Sequence, residues 1–232
     1  ASALPQSKLP HVQYFNNSRI GHGLTTSNNS RNRLSALHSQ QGQSPWLDNL
    51  RRGWITTGEL DKWVTSGIRG LTSNPAIFQK AIEGSEDYDE QFRQLITGGT
   101  SVNDAYWDLV TSDIRGALRA LRPVYEASLG TDGFVSVEVD PALARDSDQT
   151  ATAARALHDR LNAPNLMVKI PGTREGLPAV RTMIGEARSI NVTLIFSVQR
   201  YSDVMEAYIS GLEDAVEAGC DDLSKVASVA SF

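Results

Sequence analysis

Short apolar runs alternate with longer amphipathic stretches along most of this sequence. Six runs have the length and composition of buried strands, and they occupy residues 46–48, 70–74, 134–139, 166–170, 192–196 and 226–230. The stretches between them have helical spacing, at residues 58–66, 87–97, 102–128, 149–162, 173–187 and 198–218. Regular alternation of strand and helix predicts parallel β/α units.

Lys169 is the most unusual residue of these runs, because it lies inside the apolar segment 165–171. A charged amine on a buried strand is costly unless it has a partner or a use. Lys169 is therefore a candidate nucleophile. The alternative is a lysine that pairs with a carboxylate for purely structural reasons.

The side chains of three runs separate into a polar and an apolar face. Successive residues of a strand point to opposite faces, so Lys169, Glu138 and Thr193 can share one face. Ser136 and Asn191 then belong to that face as well. The opposite face is apolar and consists of Val135, Val137, Val168, Val192 and Leu194.

Two earlier runs also end in polar residues, namely Asp48 on the first and Thr72 with Asn74 on the second. Catalytic residues of a (β/α) barrel lie at the carboxyl ends of its strands. The sequence therefore predicts an α/β fold, a (β/α)8 TIM barrel of which about six β/α units are present. The alternative is a doubly wound open sheet, which usually carries a glycine-rich phosphate turn; no such motif occurs here.

Four stretches, in this order, resemble the transaldolase family: GIRGLTSNPAIFQKAI, FVSVEVDPALARD, NLMVKIPGTREGLPA and INVTLIFS. The resemblance runs from about residue 44 to the end of the chain. It implies a barrel of the class I aldolase type that transfers a dihydroxyacetone unit between sugar phosphates in the pentose phosphate pathway. The donor would be sedoheptulose 7-phosphate or fructose 6-phosphate and the acceptor an aldose phosphate, with neither metal nor organic cofactor.

The same resemblance implies roles for individual residues. Lys169 corresponds to the Schiff-base lysine, and Asp48 to the acid/base that acts on the C4 hydroxyl. Glu138 corresponds to an acid/base working through a water, which Thr193 holds. Alternatively, Asp48 caps the following turn and Thr193 is an ordinary β-branched strand residue. Further matches that line the site are Asn74, Asn191, Ser136, Thr72 and Ser231, the last near the sugar phosphate.

Residues 1–43 differ in composition from the rest of the chain. No acidic residue precedes Asp48, whereas Lys8, Arg19, Arg31 and Arg33 lie among many Ser and Asn residues. Such leaders resemble organelle transit peptides, so we predict import into a plastid. A disordered tail is the alternative for this segment, and mitochondrial or cytoplasmic location is the alternative for the protein.

The barrel-like part, residues 44–232, is shorter than the ~250 residues of a typical complete barrel. We therefore expect a chain that is incomplete at its carboxyl end. The resemblance implies a phosphate-binding arginine, which would lie beyond Phe232. Open sheet edges would then be covered by a second copy or another protein. This leaves two alternatives to a transaldolase: a noncatalytic homologue acting as a binding or assembly subunit, and a fructose 6-phosphate aldolase-like enzyme.

The net charge of −5, from 22 basic and 27 acidic residues, gives no signature of nucleic-acid binding. No apolar run approaches the ~20 residues that a membrane-spanning helix needs. Sugar phosphates are the ligands that the resemblance to transaldolase implies.

Overall fold

A single parallel sheet organises the protein. The computed structural model describes the backbone of residues 11–15 and all atoms of residues 33–232. Seven strands pair side by side in chain order, each parallel to the next. The strands are β1 (His11–Phe15), β2 (Gln43–Asp48), β3 (Gly70–Thr72), β4 (Val135–Glu138), β5 (Leu166–Pro171), β6 (Ile190–Thr193) and β7 (Ser228–Ala230).

Helices connect the strands. They are α1 (Arg33–Gln41), α2 (Arg52–Thr56), α3 (Glu59–Thr65), α4 (Pro75–Glu83), α5 (Asp89–Thr97), α6 (Val102–Ala127), α7 (Ser147–Leu161), α8 (Leu177–Gly185) and α9 (Val198–Glu217). Short 3₁₀ helices occupy Glu86–Tyr88, Pro141–Leu143 and Leu223–Lys225. Within the described part of the chain, no helix is long and apolar enough to cross a membrane.

The strand order confirms the predicted fold class. A doubly wound sheet reverses its strand order at a switch point, whereas this sheet runs from β1 to β7 without reversal. Sequential parallel pairing with helical connections is the arrangement of a barrel, and here it forms a curled, partial TIM barrel. All six strands predicted from the sequence are present, with ends that differ by a few residues.

Two elements lie inside the segment that the sequence predicted as a leader. Strand β1 pairs with β2 from His11 opposite Gln43 to Phe15 opposite Leu47, and α1 follows at residues 33–41. The run HVQYF is rich in β-branched and aromatic residues, which favour a strand, but the basic and acid-poor composition around it hid that signal. Residues 1–10 and 16–32 lie outside the described residues, so the transit peptide stays a prediction.

The outer face of the sheet packs against the helices and forms the main core. The predicted apolar residues Val135, Val137, Val168 and Val192 are buried there. Leu194 was predicted to join them, and this prediction is wrong. Strand β6 ends at Thr193, and Leu194 has a φ of 60° and is 44% exposed. Because the backbone turns at this point, the alternation of faces no longer holds.

The inner face has an apolar layer near the amino ends of the strands. Trp46, Phe134 and Met167 pack together there and are nearly inaccessible to solvent. Gly70 makes room for the indole, because a Cβ at this position would lie 2.2 Å from Trp46 Cε2. This layer closes the amino-terminal end of the sheet with apolar side chains.

A buried ionic network adjoins this layer. Asp132 accepts hydrogen bonds from Ser44 Oγ at 2.7 Å and from Arg69 Nε at 2.5 Å. Trp46 Nε1 in turn donates to Ser44 Oγ at 3.2 Å. The Asp132 carboxylate thus has a charged and a neutral partner, as a buried charge requires.

Candidate active site

Lys169 and Glu138 form an ion pair at the carboxyl end of the sheet. They are direct neighbours in the β4–β5 register, and Lys169 Nζ lies 3.3 Å from Glu138 Oε2. Lys169 is only 7% exposed, and its amine also donates to the carbonyl of Ser73 at 3.4 Å. The arrangement fits both roles that the sequence left open, a structural ion pair and a nucleophile beside an acid/base group.

Asp48 ends β2 and is half-buried on the same side of the sheet. Burial raises the pKa of Asp48 above its ordinary value, while the positive charge of Lys169 opposes this effect. The residue that precedes α2 as its N-cap is Arg51, so Asp48 does not cap this helix. The carboxylate is therefore available for chemistry.

A chain of hydrogen bonds connects three predicted site residues. Ser231 Oγ donates to Asn191 Oδ1 at 2.8 Å, and Asn191 Nδ2 donates to Ser136 Oγ at 3.1 Å. Asn191 and Ser136 are fully buried, and Asn191 lies beside Lys169 in the β5–β6 register. These bonds fix the orientation of the Asn191 amide next to the lysine.

Thr72 presents a buried hydroxyl without a partner. Its Oγ1 makes no hydrogen bond to any described residue. In the sheet register Thr72 lies between Asp48 on one strand and Ser136 on the other. A buried hydroxyl left unsatisfied costs about 1–3 kcal/mol. Such a group at the mouth of a barrel is available to a bound polar molecule.

Asn74 and Thr193 lie at the edge of this constellation. Asn74 Oδ1 accepts a hydrogen bond from Ile77 N at 2.9 Å and caps α4, so this residue has a structural role as well. The side chain of Thr193 is half-buried at the end of β6, and its carbonyl accepts a hydrogen bond from Gly172 N at 2.6 Å.

Sequence reasoning missed Ser73. Its carbonyl accepts from Lys169, its hydroxyl donates to the carbonyl of Ser136 at 2.9 Å, and it is fully buried. A backbone carbonyl leaves no side-chain signal in a sequence. The available clue was the position of Ser73 between two predicted site residues, Thr72 and Asn74.

A cavity of about 810 Å³ opens beside Asp48. Asn74, Arg52 and Tyr88 also line it, so it extends from the strand ends to the loops and helices around them. Within residues 33–232, no group of three or more His, Cys, Asp or Glu is placed to hold a metal. The site thus offers an amine, two carboxylates and several neutral hydrogen-bonding groups.

Comparison with known proteins shows the family to which this chain belongs. The family model described as Transaldolase/Fructose-6-phosphate aldolase matches residues 45–232. The chain belongs to this family. The curled sheet with a lysine on its fifth described strand is thus a partial barrel of the aldolase type.

Several bacterial proteins named transaldolase are similar to this chain. The protein from Saccharopolyspora erythraea is 51% identical over 210 residues, which cover 90% of this chain and 55% of the relative. That from a Parafrankia species is 49% identical over 195 residues, covering 84% and 53%. Transaldolase 2 of Nostoc punctiforme is 48% identical over 194 residues, covering 83% and 51%. The chain spans about half the length of the curated relatives it matches.

Proposed function

We propose that this protein is a transaldolase that carries a dihydroxyacetone unit on Lys169. The donor is a ketose phosphate, sedoheptulose 7-phosphate or fructose 6-phosphate, and the acceptor is an aldose phosphate of the pentose phosphate pathway. The observation that carries the proposal is the buried Lys169 amine 3.3 Å from the Glu138 carboxylate in a chain of this family.

Imine formation is the first step. Lys169 first passes a proton to Glu138, and its free amine then attacks the C2 carbonyl of the ketose. The resulting carbinolamine loses water. Both changes require proton transfers, which a positioned carboxylate accelerates by about 10²–10⁴-fold. Glu138 is the carboxylate within reach of the amine, and Thr193 at the end of β6 holds the water through which it acts.

Carbon–carbon cleavage is the second step. Asp48 removes the proton of the C4 hydroxyl, the C3–C4 bond breaks, and its electron pair moves to C3 to give an enamine with the imine nitrogen. The aldose phosphate leaves, and C3 then attacks the carbonyl of the acceptor aldose, whose oxygen receives the proton back from Asp48. The raised pKa of Asp48 makes it a stronger base than an ordinary aspartate.

The neutral groups bind the hydroxyls of the sugar. The bonded chain of Ser231, Asn191 and Ser136 forms one wall beside the lysine, and the unpartnered hydroxyl of Thr72 supplies a contact beside Asp48. Ser136, Asn191 and Thr72 lie on strands, and Ser231 N donates to the carbonyl of Val192 at 2.7 Å, so these groups orient the reacting carbons from fixed positions.

Two other functions stay in competition with this one. A fructose 6-phosphate aldolase-like enzyme would use the same imine but protonate the enamine and release dihydroxyacetone without an acceptor sugar. A noncatalytic binding or assembly subunit would keep the fold without turnover, and the coverage of about half of each relative gives a reason to test it. A second copy or partner that covers the sheet edges also stays a prediction, as does plastid import.

Borohydride trapping tests the proposal. The purified protein is incubated with fructose 6-phosphate and borohydride, and peptide mapping locates any adduct. We expect a reduced three-carbon adduct on Lys169 and none in K169R. The variant D48N should accumulate a six-carbon adduct, because its imine forms but is not cleaved. Wild-type protein without an adduct would exclude both aldolase-type functions.

Dependence on the acceptor separates the two enzyme functions. A transaldolase consumes fructose 6-phosphate rapidly only when an acceptor such as erythrose 4-phosphate is added. Release of free dihydroxyacetone at the same rate without any acceptor would instead assign the aldolase-like function.

A further inference from the structure

A buried network of three side chains lies directly behind the Asp48 loop. Asp113 accepts hydrogen bonds from Arg52 Nε at 2.8 Å and from the Tyr88 hydroxyl at 2.8 Å. The Tyr88 hydroxyl also accepts from Arg52 N at 3.1 Å, and the guanidinium lies 4.3 Å from the centre of the Tyr88 ring. The side chain of Asp113 is only 2% exposed. Each member of the network therefore contacts both others.

The network links three elements that are distant in sequence. Arg52 begins α2, Tyr88 ends the 3₁₀ helix Glu86–Tyr88, and Asp113 lies in the middle of α6. Asp48, Arg52 and Tyr88 all line the same cavity, while Asp113 is buried behind it. The network is thus a wall of the cavity that opens beside Asp48.

Only residues 49–51 separate Asp48 from Arg52. The middle residue, Leu50, is fully buried in the core. A segment this short, fixed by a strand at one end and by a buried ion pair at the other, has few accessible conformations. Movement of Arg52 would therefore be transmitted to the Asp48 carboxylate.

We infer that Arg52, Asp113 and Tyr88 are positioning residues that hold the Asp48 carboxylate in reach of the C4 hydroxyl. This inference rests on the proposed transaldolase function. It adds that the network controls the rate of carbon–carbon cleavage but not that of imine formation. A misplacement of about 1 Å costs as much as ~100-fold in rate, so a loosened network should slow cleavage measurably.

The network acts through geometry rather than through its charge. The guanidinium of Arg52 is paired with Asp113, and the pKa of Asp48 responds to burial and to Lys169. Burial and the charge of Asp113 raise the pKa of Tyr88, so its hydroxyl keeps the proton that it donates. Burial raises the pKa of Asp113 as well, and the hydrogen bonds from Arg52 and Tyr88 oppose this effect.

The amino-terminal end of the sheet supplies a matched control. Asp132 is also a buried carboxylate that accepts one bond from an arginine, Arg69, and one from a hydroxyl, Ser44. This second network adjoins the apolar layer around Trp46 rather than the cavity. Y88F and S44A thus each remove one hydroxyl donor to an arginine-paired aspartate, at opposite ends of the sheet.

The experiment compares the two variants with wild type in borohydride trapping and in steady-state transfer from fructose 6-phosphate. Both variants should lower the thermal unfolding midpoint. Only Y88F should reduce kcat, by about tenfold with little change in KM, and raise the ratio of six-carbon to three-carbon adducts on Lys169. R52K and R69K form a second pair that keeps the charge and loses the planar guanidinium, with the same expected contrast.

Three results would overturn the inference. One is an adduct ratio in Y88F and R52K equal to that in S44A and R69K, with trapping in wild type intact. The second is imine formation and cleavage slowed equally in Y88F, which indicates a merely structural network. The third is a wild-type protein that forms no adduct on Lys169, which overturns the proposed function as well.

Discussion

Both ends of the inner sheet face contain charged and hydroxyl side chains, but the two ends differ in how these groups are hydrogen-bonded. At the amino-terminal end, Trp46 packs in an apolar layer, and the Asp132 carboxylate accepts hydrogen bonds from Ser44 and Arg69. At the carboxyl-terminal end, the Lys169 amine lies beside Glu138, and the hydroxyl of Thr72 has no partner among the described residues. Completed bonds stabilise a fold, whereas an unfilled one is available to a ligand.

The largest expected effect is on activity at the carboxyl-terminal end. K169R keeps the positive charge next to Glu138 but cannot form an imine. We expect transfer from fructose 6-phosphate to fall by roughly 1,000-fold or more, because the covalent step is lost. The unfolding midpoint in urea should stay close to that of wild type. Substantial residual turnover would contradict the covalent mechanism.

The largest expected effect on stability is at the amino-terminal end of the sheet. Trp46 is 1% exposed and fills the space above Gly70. W46A should lower the free energy of unfolding by about 3–5 kcal/mol, because it removes packing and leaves a cavity. Urea denaturation measures the change, with K169R as the control at the opposite end. A loss below about 1 kcal/mol would mean that this layer does not support the fold.

His158, near the amino-terminal end of the sheet, should make the free energy of unfolding depend on pH. Its Nε2 donates to the carbonyl of Ser189, just before β6, at 3.0 Å. Burial, assisted by Arg188, lowers the pKa of His158 to about 4. The unfolded chain therefore binds a proton first as the pH falls below about 6.5, and stability is lost between about pH 6.5 and 4.

The size of this loss follows from the pKa difference and is on the order of 3 kcal/mol. H158Q should remove it, so wild type should lose stability relative to the variant by about this amount as the pH falls from 7.5 to 4. Urea unfolding at several pH values checks this. Equal pH dependence in both proteins would show that His158 titrates normally in the fold.

The smallest expected effect, that of T72V, tests most directly the difference between the two ends of the sheet. T72V removes a buried hydroxyl that has no partner among the described residues, and valine has nearly the same shape. We expect it to stabilise the protein by about 1 kcal/mol while it weakens substrate binding or turnover several-fold. S44A removes a hydroxyl that donates to Asp132 and should destabilise instead. The same sign of stability change in both variants would contradict the difference between the two ends.

Much of the fold could be predicted from local patterns. Six strands and their faces followed from alternating apolar residues, because a buried face requires that alternation. The prediction failed at Leu194, where the backbone turns to a φ of 60°. Strand β1 was missed because it lies within a basic, acid-poor segment whose composition resembles a leader.

The candidate site was predictable to a lesser extent. Lys169 was visible as a charge inside an apolar run, and the other site residues rested on strand ends and on family resemblance. Neither the carbonyl of Ser73 nor the network of Arg52, Tyr88 and Asp113 left a local signal. Arg52 and Asp113 are 61 residues apart, and such a contact exists only once α2 and α6 have packed.

The sequence by itself determined the order of strands and helices, the polar and apolar faces of most strands, and the family. These properties depend on the spacing of neighbouring residues, which the chain carries before it folds. Tertiary structure alone decided which groups meet. It set the 3.3 Å pair of Lys169 and Glu138, left the Thr72 hydroxyl without a partner among the described residues, and placed each Asp–Arg network at its end of the sheet. The physical reason is that hydrogen bonds and ion pairs act over a few ångströms in space, whatever the distance along the chain.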